Sequence, residues 1–446
     1  MSATFTFTSL FILIVERRKD AMHERIEIGD RNEYIHPICC GLDVHKKSVF
    51  AAVFIYDNSD SPVKYYTAQF TTYPKDLKKM TDWIISKNCH DVCMESTGQY
   101  WHPIYDAAEE AGLHPLVSHP KYTKPLKGKK SDPADAKWIA KSYASGRVVA
   151  SFIPSKEFRI MRSTIRYCQK IHNAMTGEKN RILNCLTGEG IKLDVVFSDV
   201  FGKTSRSIID YMLNHPGEKF NVAPFIGKRC KTPIPVIQEA VAKASSVDIS
   251  SLSKLKVAFS RLDRTVKDEA VLKQDVAERM KPYAHQLELI RTVPGFDRDP
   301  FTAMRVLAEI GPDMSVFPSA RHLCSWAGVC PSHDSSAHKV KGRKISRAGK
   351  YLKPLLVNIA RSVVRSKDHP EITSRFNRIK SRRGYMKAII AICKMFLTAI
   401  WHILSKDEPY KTDGYMTAKK PKKAKRVMTR TQLAEYLASQ GITVVD

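Results

Sequence analysis

The chain has 446 residues, 43% of them hydrophobic and 9% aromatic, enough for two or three domains with real cores. Its 73 Lys and Arg outnumber 45 Asp and Glu for a net charge of +28, spread along the whole length, which favours nucleic acid over a membrane surface as partner. Ten scattered cysteines without a C-x-x-C pair argue against a disulfide framework and a zinc module, and point to a reduced cytoplasmic protein.

The apolar run Phe5–Val15 is too short to span a bilayer and lacks the flanks of a secretory signal. Residues 1–35 are therefore read as a dispensable extension, with Met22 a plausible start. Three strands are then predicted: His36–Leu42, Ser48–Tyr56 and Val63–Phe70, the last two alternating and separated by the turn-rich DNSDSP. A helix over Asp76–Lys87 follows, with Leu77, Met80, Trp83 and Ile84 on one face. After it come a strand at Val92–Met94, a helix at Tyr100–Ala111, a strand at Leu113–Val117, the basic loop YTKPLKGKK and a helix over Asp132–Ser145. A strand meander followed by alternating strands and helices describes an α/β domain with a mixed sheet, the order of the ribonuclease-H/RuvC-like fold.

Four acids stand out on this pattern. Asp43 and Glu95 close apolar strand runs, and Asp132 and Asp135 open the last helix. Acids converging from two strand ends and one helix start suit a hard divalent cation, Mg²⁺ with Mn²⁺ as a substitute, which prefers oxygen ligands and leaves room for phosphate. Each also has a plainer reading. Asp43 and Glu95 can be loop residues, and Asp132-Pro133-x-Asp135 is good capping chemistry, with Asp132 as the cap.

The middle, residues 153–290, is read as a helical linker. Phe158–Leu186 is a basic helix striped by Arg159, Arg162 and Arg166, and Val236–Leu289 is a second long helical region with heptad-like apolar spacing. The intervening Gly188–Pro235 is Gly/Pro-punctuated and read as irregular. FGKTS at Phe201–Ser205 resembles the end of a P-loop, but Phe197 stands where that loop needs its first glycine, so no ATP site is assigned.

Residues 291–405 form a mainly helical C-terminal domain. Leu289–Gly311 reads as helix, Pro-Gly turn, helix, a hairpin suited to DNA phosphates. A polar loop with Ser335 and Ser336 precedes Lys339, Lys341, Arg343, Lys344, Arg347 and Lys350, candidate phosphate contacts. Tyr385–Leu404 is apolar, yet its Lys387 and Lys394 argue for a buried helix rather than a membrane span. Residues 406–446 form a basic tail with a last short helix at Arg430–Ser439.

GLDVHK, MESTGQYW, SDPADAKWIA, TVPGF…AEIG, WAGVCP and KGRKISRAGKYLK, in that order over about residues 38–400, resemble the DEDD transposases of the insertion-sequence one-ten family. The resemblance implies a RuvC-like domain whose four catalytic, metal-binding acids are Asp43, Glu95, Asp132 and Asp135. It also implies a transposase domain whose serine nucleophile, counted from either flanking motif, is Ser336, with Ser335 the near alternative. It further implies a structured noncoding guide RNA and a homo-oligomer, a dimer of dimers, acting on element and target DNA. One departure is Asp297, where the family's P-G-I-G turn carries glycine. The competing readings are a RuvC-like junction nuclease that uses water, and a nucleic-acid-binding protein without catalysis.

Overall fold

The computed structural model describes residues 17–19, 22–29, 34–57, 62–96, 98–123, 131–228, 230–331, 334–336, 339–342 and 345–411. It divides into two compact units, residues 1–156 and 157–446.

The first unit is built on one sheet. Its strands are β1 (Arg17–Lys19), β2 (Met22–Gly29), β3 (Ile38–Val44), β4 (Ser48–Ile55), β5 (Val63–Thr71), β6 (Asp91–Glu95) and β7 (His114–Ser118), in the order β1-β2-β5-β4-β3-β6-β7. The β3–β6 and β6–β7 pairs are parallel and the remaining pairs antiparallel. Helices α1 (Pro74–Ile85), α2 (Trp101–Glu110), α3 (Pro120–Thr123) and α4 (Asp132–Ala144) complete it. The core order β5-β4-β3-β6-β7 is that of the ribonuclease-H-like fold, as the strand pattern predicted.

The N-terminal extension contributes β1 and β2, β2 pairing with β5 from Arg25↔Thr67 to Gly29↔Val63 and β1 forming the edge beyond it. A chain starting at Met22 would keep β2 and lose β1. The stretch read as the basic loop YTKPLKGKK begins inside α3, and its residues 124–130 lie outside the described residues.

Strand alternation sorts the unit into layers. Cys40, Leu42 and Val44 of β3 pack with Leu77, Met80, Trp83 and Ile84 of α1 and with Ile104 of α2. On the opposite face Cys39, Phe54 and Cys93 meet Ile139, Ala140 and Tyr143 of α4. Gly41 shares that second face, and a Cβ there would overlap the Ala136 carbonyl oxygen and the Ala140 nitrogen. Only glycine lets the strand and helix backbones come so close.

The second unit is helical, apart from the ribbon β8 (Asp334–Ser336) and β9 (Lys339–Gly342). Its first helices are α5 (Lys156–Gly188), α6 (Leu193–Val196), α7 (Lys203–Asn214), α8 (Ile234–Ala240) and α9 (Ile249–Arg279). Ion pairs His172–Glu269 and Arg261–Glu178, with the Cys185 thiol donating to the Ser251 carbonyl, run α5 and α9 antiparallel. The segment expected to be irregular is instead a folded cap. Ile208, Ile209, Met212 and Leu213 of α7 and Ile237 of α8 share a core with Ile182 and Leu186 of α5 and Leu255 and Phe259 of α9. FGKTS is simply the start of α7, with Gly202 at its N-cap. The helical region predicted over Val236–Leu289 breaks twice, at the Asp248 cap of α9 and at the turn after Met280.

Helices α10 (Ala284–Arg291), α11 (Pro300–Ile310), α12 (Ala320–Trp326), α13 (Leu352–Val363), α14 (Pro370–Arg383) and α15 (Tyr385–Lys406) follow. Between α10 and α11, Gly295 adopts φ +86° against Val363 and Ile359, and the Asp299 carboxylate accepts the Phe301 N–H to cap α11. Helix α15 is long and apolar enough to cross a membrane, but Ile389, Ile392, Phe396 and Ile400 are buried in this unit, as expected of a core helix. The tail helix predicted at Arg430–Ser439 lies outside the described residues.

The arginine stripe of α5 does not form a free basic face. Arg162 is buried and donates to the carbonyls of Ala308 and Glu309, capping the last turn of α11. Arg166 forks the Glu309 carboxylate with two hydrogen bonds of 2.8 Å. Glu309 is only 4% exposed. Glu309→Gln removes the buried carboxylate that faces Arg166 and Arg162 and is expected to cost about 3 kcal/mol, measurable as a lowered urea midpoint.

Candidate metal centre

The alternation that buries Leu42 places Asp43 on the α4 face of β3. Leu42 pairs with Met94 across the parallel β3–β6 ladder, so Asp43 and Glu95 lie side by side one residue further on. The close approach at Gly41 brings the N-terminus of α4 to the same end, with Asp132 and Asp135 in its first turn. Helix α4 begins at Asp132, and Ser131 takes the cap position, so Asp132 is not the cap that its sequence suggested. Both carboxylates gain from the positive end of the helix dipole.

Ligand atoms of Asp43, Asp132 and His45 lie within 4.8 Å of one another. His45 Nε2 is 3.1 Å from Asp43 Oδ2 and 3.6 Å from Asp132 Oδ2. Burial raises the Asp43 carboxyl above its ordinary range, His45 pulls it down, and the Asp135 and Asp132 charges push it up again. Glu95 is outside the triad and is held at its own strand end, where it accepts a 2.8 Å hydrogen bond from the buried Thr123 hydroxyl. His45 and Thr123 were missed from the sequence. The signal for His45 was its position two residues past Asp43 in GLDVHK, whereas nothing local marks Thr123. An oxygen-rich set in which burial, and then the neighbouring Asp135 and Asp132 charges, raise one carboxyl fits a hard divalent cation.

The serine segment belongs to the second unit. Ser335 and Ser336, expected in a polar loop, are instead strand residues of β8, where Ser336 pairs with Lys339 and Ser335 with Val340. The base of this ribbon is braced from both sides. A Cβ at Gly328 would overlap the Ala348 carbonyl oxygen, and one at Gly349 the Ala327 carbonyl oxygen. Lys353 Nζ donates to the Ser346 oxygen at 2.7 Å and the Gly328 oxygen at 3.4 Å, and Pro331 bridges Ile345. Lys339 and Lys341 lie in β9, Arg343 and Lys344 lie outside the described residues, and Arg347 and Lys350 are exposed.

A DEDD-type transposase family model matches residues 40–190, and the model of the transposase IS116/IS110/IS902 family matches residues 287–377. Together they cover more than half of the chain. The chain belongs to the IS110 family of transposases. It is accordingly an enzyme of DNA cleavage and rejoining. The first match contains all four acids and the second contains the hairpin, the glycine brace and Ser336. The transposase for insertion sequence element IS1111A of Coxiella burnetii is 24% identical to this transposase over 329 residues, 72% of this chain and 79% of its own. Pilin gene-inverting proteins of Moraxella bovis and Moraxella lacunata are 29% and 28% identical over 135 residues, 39% of their own lengths.

The raised carboxyl of Asp43 has a thermodynamic sign. Its charge costs stability in full above the folded pKa, and the cost disappears below the unfolded pKa. In chelator-treated buffer at neutral pH, Asp43→Asn is therefore expected to melt above the wild type, with the gap closing on acidification. Magnesium should raise the wild-type melting temperature and leave that of the variant unmoved.

Proposed function

We propose that this transposase binds, cleaves and rejoins insertion-element DNA with Mg²⁺, or Mn²⁺ in its place, held by Asp43, Glu95, Asp132 and Asp135. The observation that carries this reading is the arrival of three aspartates and Glu95 at one end of β3, β6 and α4 from three separate stretches of sequence. A divalent cation held there would neutralise phosphodiester charge and promote deprotonation of a hydroxyl. Thr123 orients Glu95, and His45 offers Asp43 and Asp132 a further polar partner.

Ser336 is the nucleophile in this reading. Its hydroxyl oxygen attacks phosphorus, one strand's P–O bond breaks, and the departing strand oxygen takes up a proton. A strand hydroxyl later reverses the step, so the phosphodiester energy is conserved and no ATP is needed. The ribbon register supports Ser336 over Ser335, because it sets a lysine position opposite the first and a valine opposite the second. Lys339, Lys341, Arg343, Lys344, Arg347 and Lys350 would contact phosphate around it. The guide RNA, the dimer of dimers and a cytoplasmic place of action follow from the family resemblance. They agree with a +28 charge and ten free cysteines.

With Mg²⁺ and donor DNA, the wild type is expected to form a protein–DNA species that survives denaturation. Ser336→Ala should lose it while keeping DNA binding, and Ser335→Ala should keep it. Free DNA ends from the wild type would assign the chemistry to water instead. Protein purified from cells carrying its element is expected to bring down an element-derived RNA. Full activity after ribonuclease treatment, with no such RNA enriched, would remove the guide from this reading.

A further inference from the structure

The hairpin between α10 and α11 and one side of α13 border a cavity of about 440 Å³, lined by Arg298, Asn358, Arg361, Ser362, Arg365 and Ser366. Every lining residue is polar and half are arginines. The cavity is open to solvent and its surface is mainly polar, a poor match for an apolar or aromatic group. Asn358, Arg361, Ser362 and Arg365 recur at steps of three and four, which sets them on one face of α13 and the turn after it. Arg298 reaches across from the hairpin, its Nη1 donating to the Ser362 hydroxyl at 2.9 Å.

The local charge is not balanced. Asp368, 3.6 Å from Arg298 Nη2, is 70% exposed and also accepts the Ser366 hydroxyl. Asp299 is committed to the α11 cap, where it accepts the Phe301 N–H. Arg361 and Arg365 make no ion pair among the described residues. The Arg361 Nε–H is buried and has no hydrogen-bond partner there, an orphan of the kind that a bound oxyanion or water satisfies.

We propose that this cavity is a phosphodiester-binding site, taking a backbone phosphate of nucleic acid beside the hairpin. Planar guanidinium forks match the oxygens of a phosphate, and delocalised charge suits a tetrahedral anion. An acidic protein partner would need apolar anchors that the lining does not supply. The site is separate from the Lys/Arg run after Ser336, and the proposal rests on the reading of this chain as a nucleic-acid enzyme.

The test uses full-length Arg365→Gln, Arg361→Gln and Arg365→Lys. Binding is measured by fluorescence anisotropy over a salt series, with a random-sequence DNA duplex and with an RNA hairpin. Each glutamine variant is expected to weaken binding without regard to sequence. The slope of log K against log salt should fall by about one per arginine, while Arg365→Lys keeps its slope. A response confined to the duplex assigns the phosphate to DNA, and one confined to the hairpin assigns it to RNA. Arg365 is exposed and its replacement leaves no buried group unpaired, so this variant carries the result even where Arg361→Gln lowers stability. Unchanged slopes beside a salt-dependent wild type would overturn the site and leave the transposase reading intact. A wild type without salt-dependent binding would overturn both.

Discussion

The approach of Gly41 to the backbone of α4 sets the spacing on which the candidate metal centre depends. Carboxylates repel one another, and burial raises the Asp43 carboxyl further, so nothing in the acids themselves draws them together. The force comes from the apolar layer beneath them. Cys39, Phe54 and Cys93 pack under Ile139, Ala140 and Tyr143, and the missing side chain at position 41 lets α4 settle onto the sheet. The site is thus held in an electrostatically unfavourable state by hydrophobic burial, a state that a cation would relieve.

The second unit solves a different problem, that of holding a short ribbon and a hairpin turn in place. It does so with close backbone contacts at Gly328 and Gly349, with the Val363 and Ile359 side chains packed on Gly295, and with cations that satisfy carbonyl oxygens. Lys353 ties the oxygens of Ser346 and Gly328, and Arg162 ties those of Ala308 and Glu309. The packing of this unit gives its arginines different surroundings. Arg162 and Arg166 become internal braces, whereas Arg298 and Arg365 stay exposed. Net charge alone cannot distinguish the two kinds.

Hydrophobic periodicity made most elements legible. The strands at Ser48 and Val63 and the helices at Pro74, Trp101 and Tyr385 begin within a residue or two of expectation, because each has a clear period of two or 3.6. The cap formed by α6, α7 and α8 was misread, although Ile208, Ile209, Met212 and Leu213 are helically spaced. Short helices among Gly and Pro give weak local signals, and this one is stabilised by packing against α5 and α9. Ser336 was placed in a loop because DSS is polar. Cross-strand pairing with Lys339–Gly342 makes it a strand.

The sequence by itself determined the family and the fold of the first unit, and it picked out the four acids as candidates, because these rest on motif order and on apolar patterning along the chain. Tertiary structure alone decided the rest of the site. It brought His45 to Asp43 and Asp132, set Thr123 against Glu95 from 28 positions away, and separated the arginines that brace Glu309 from those left exposed. The physical reason is common to all three. Periodicity records which face of its own element a residue occupies, whereas a polar side chain's partner depends on which distant backbone that face is packed against.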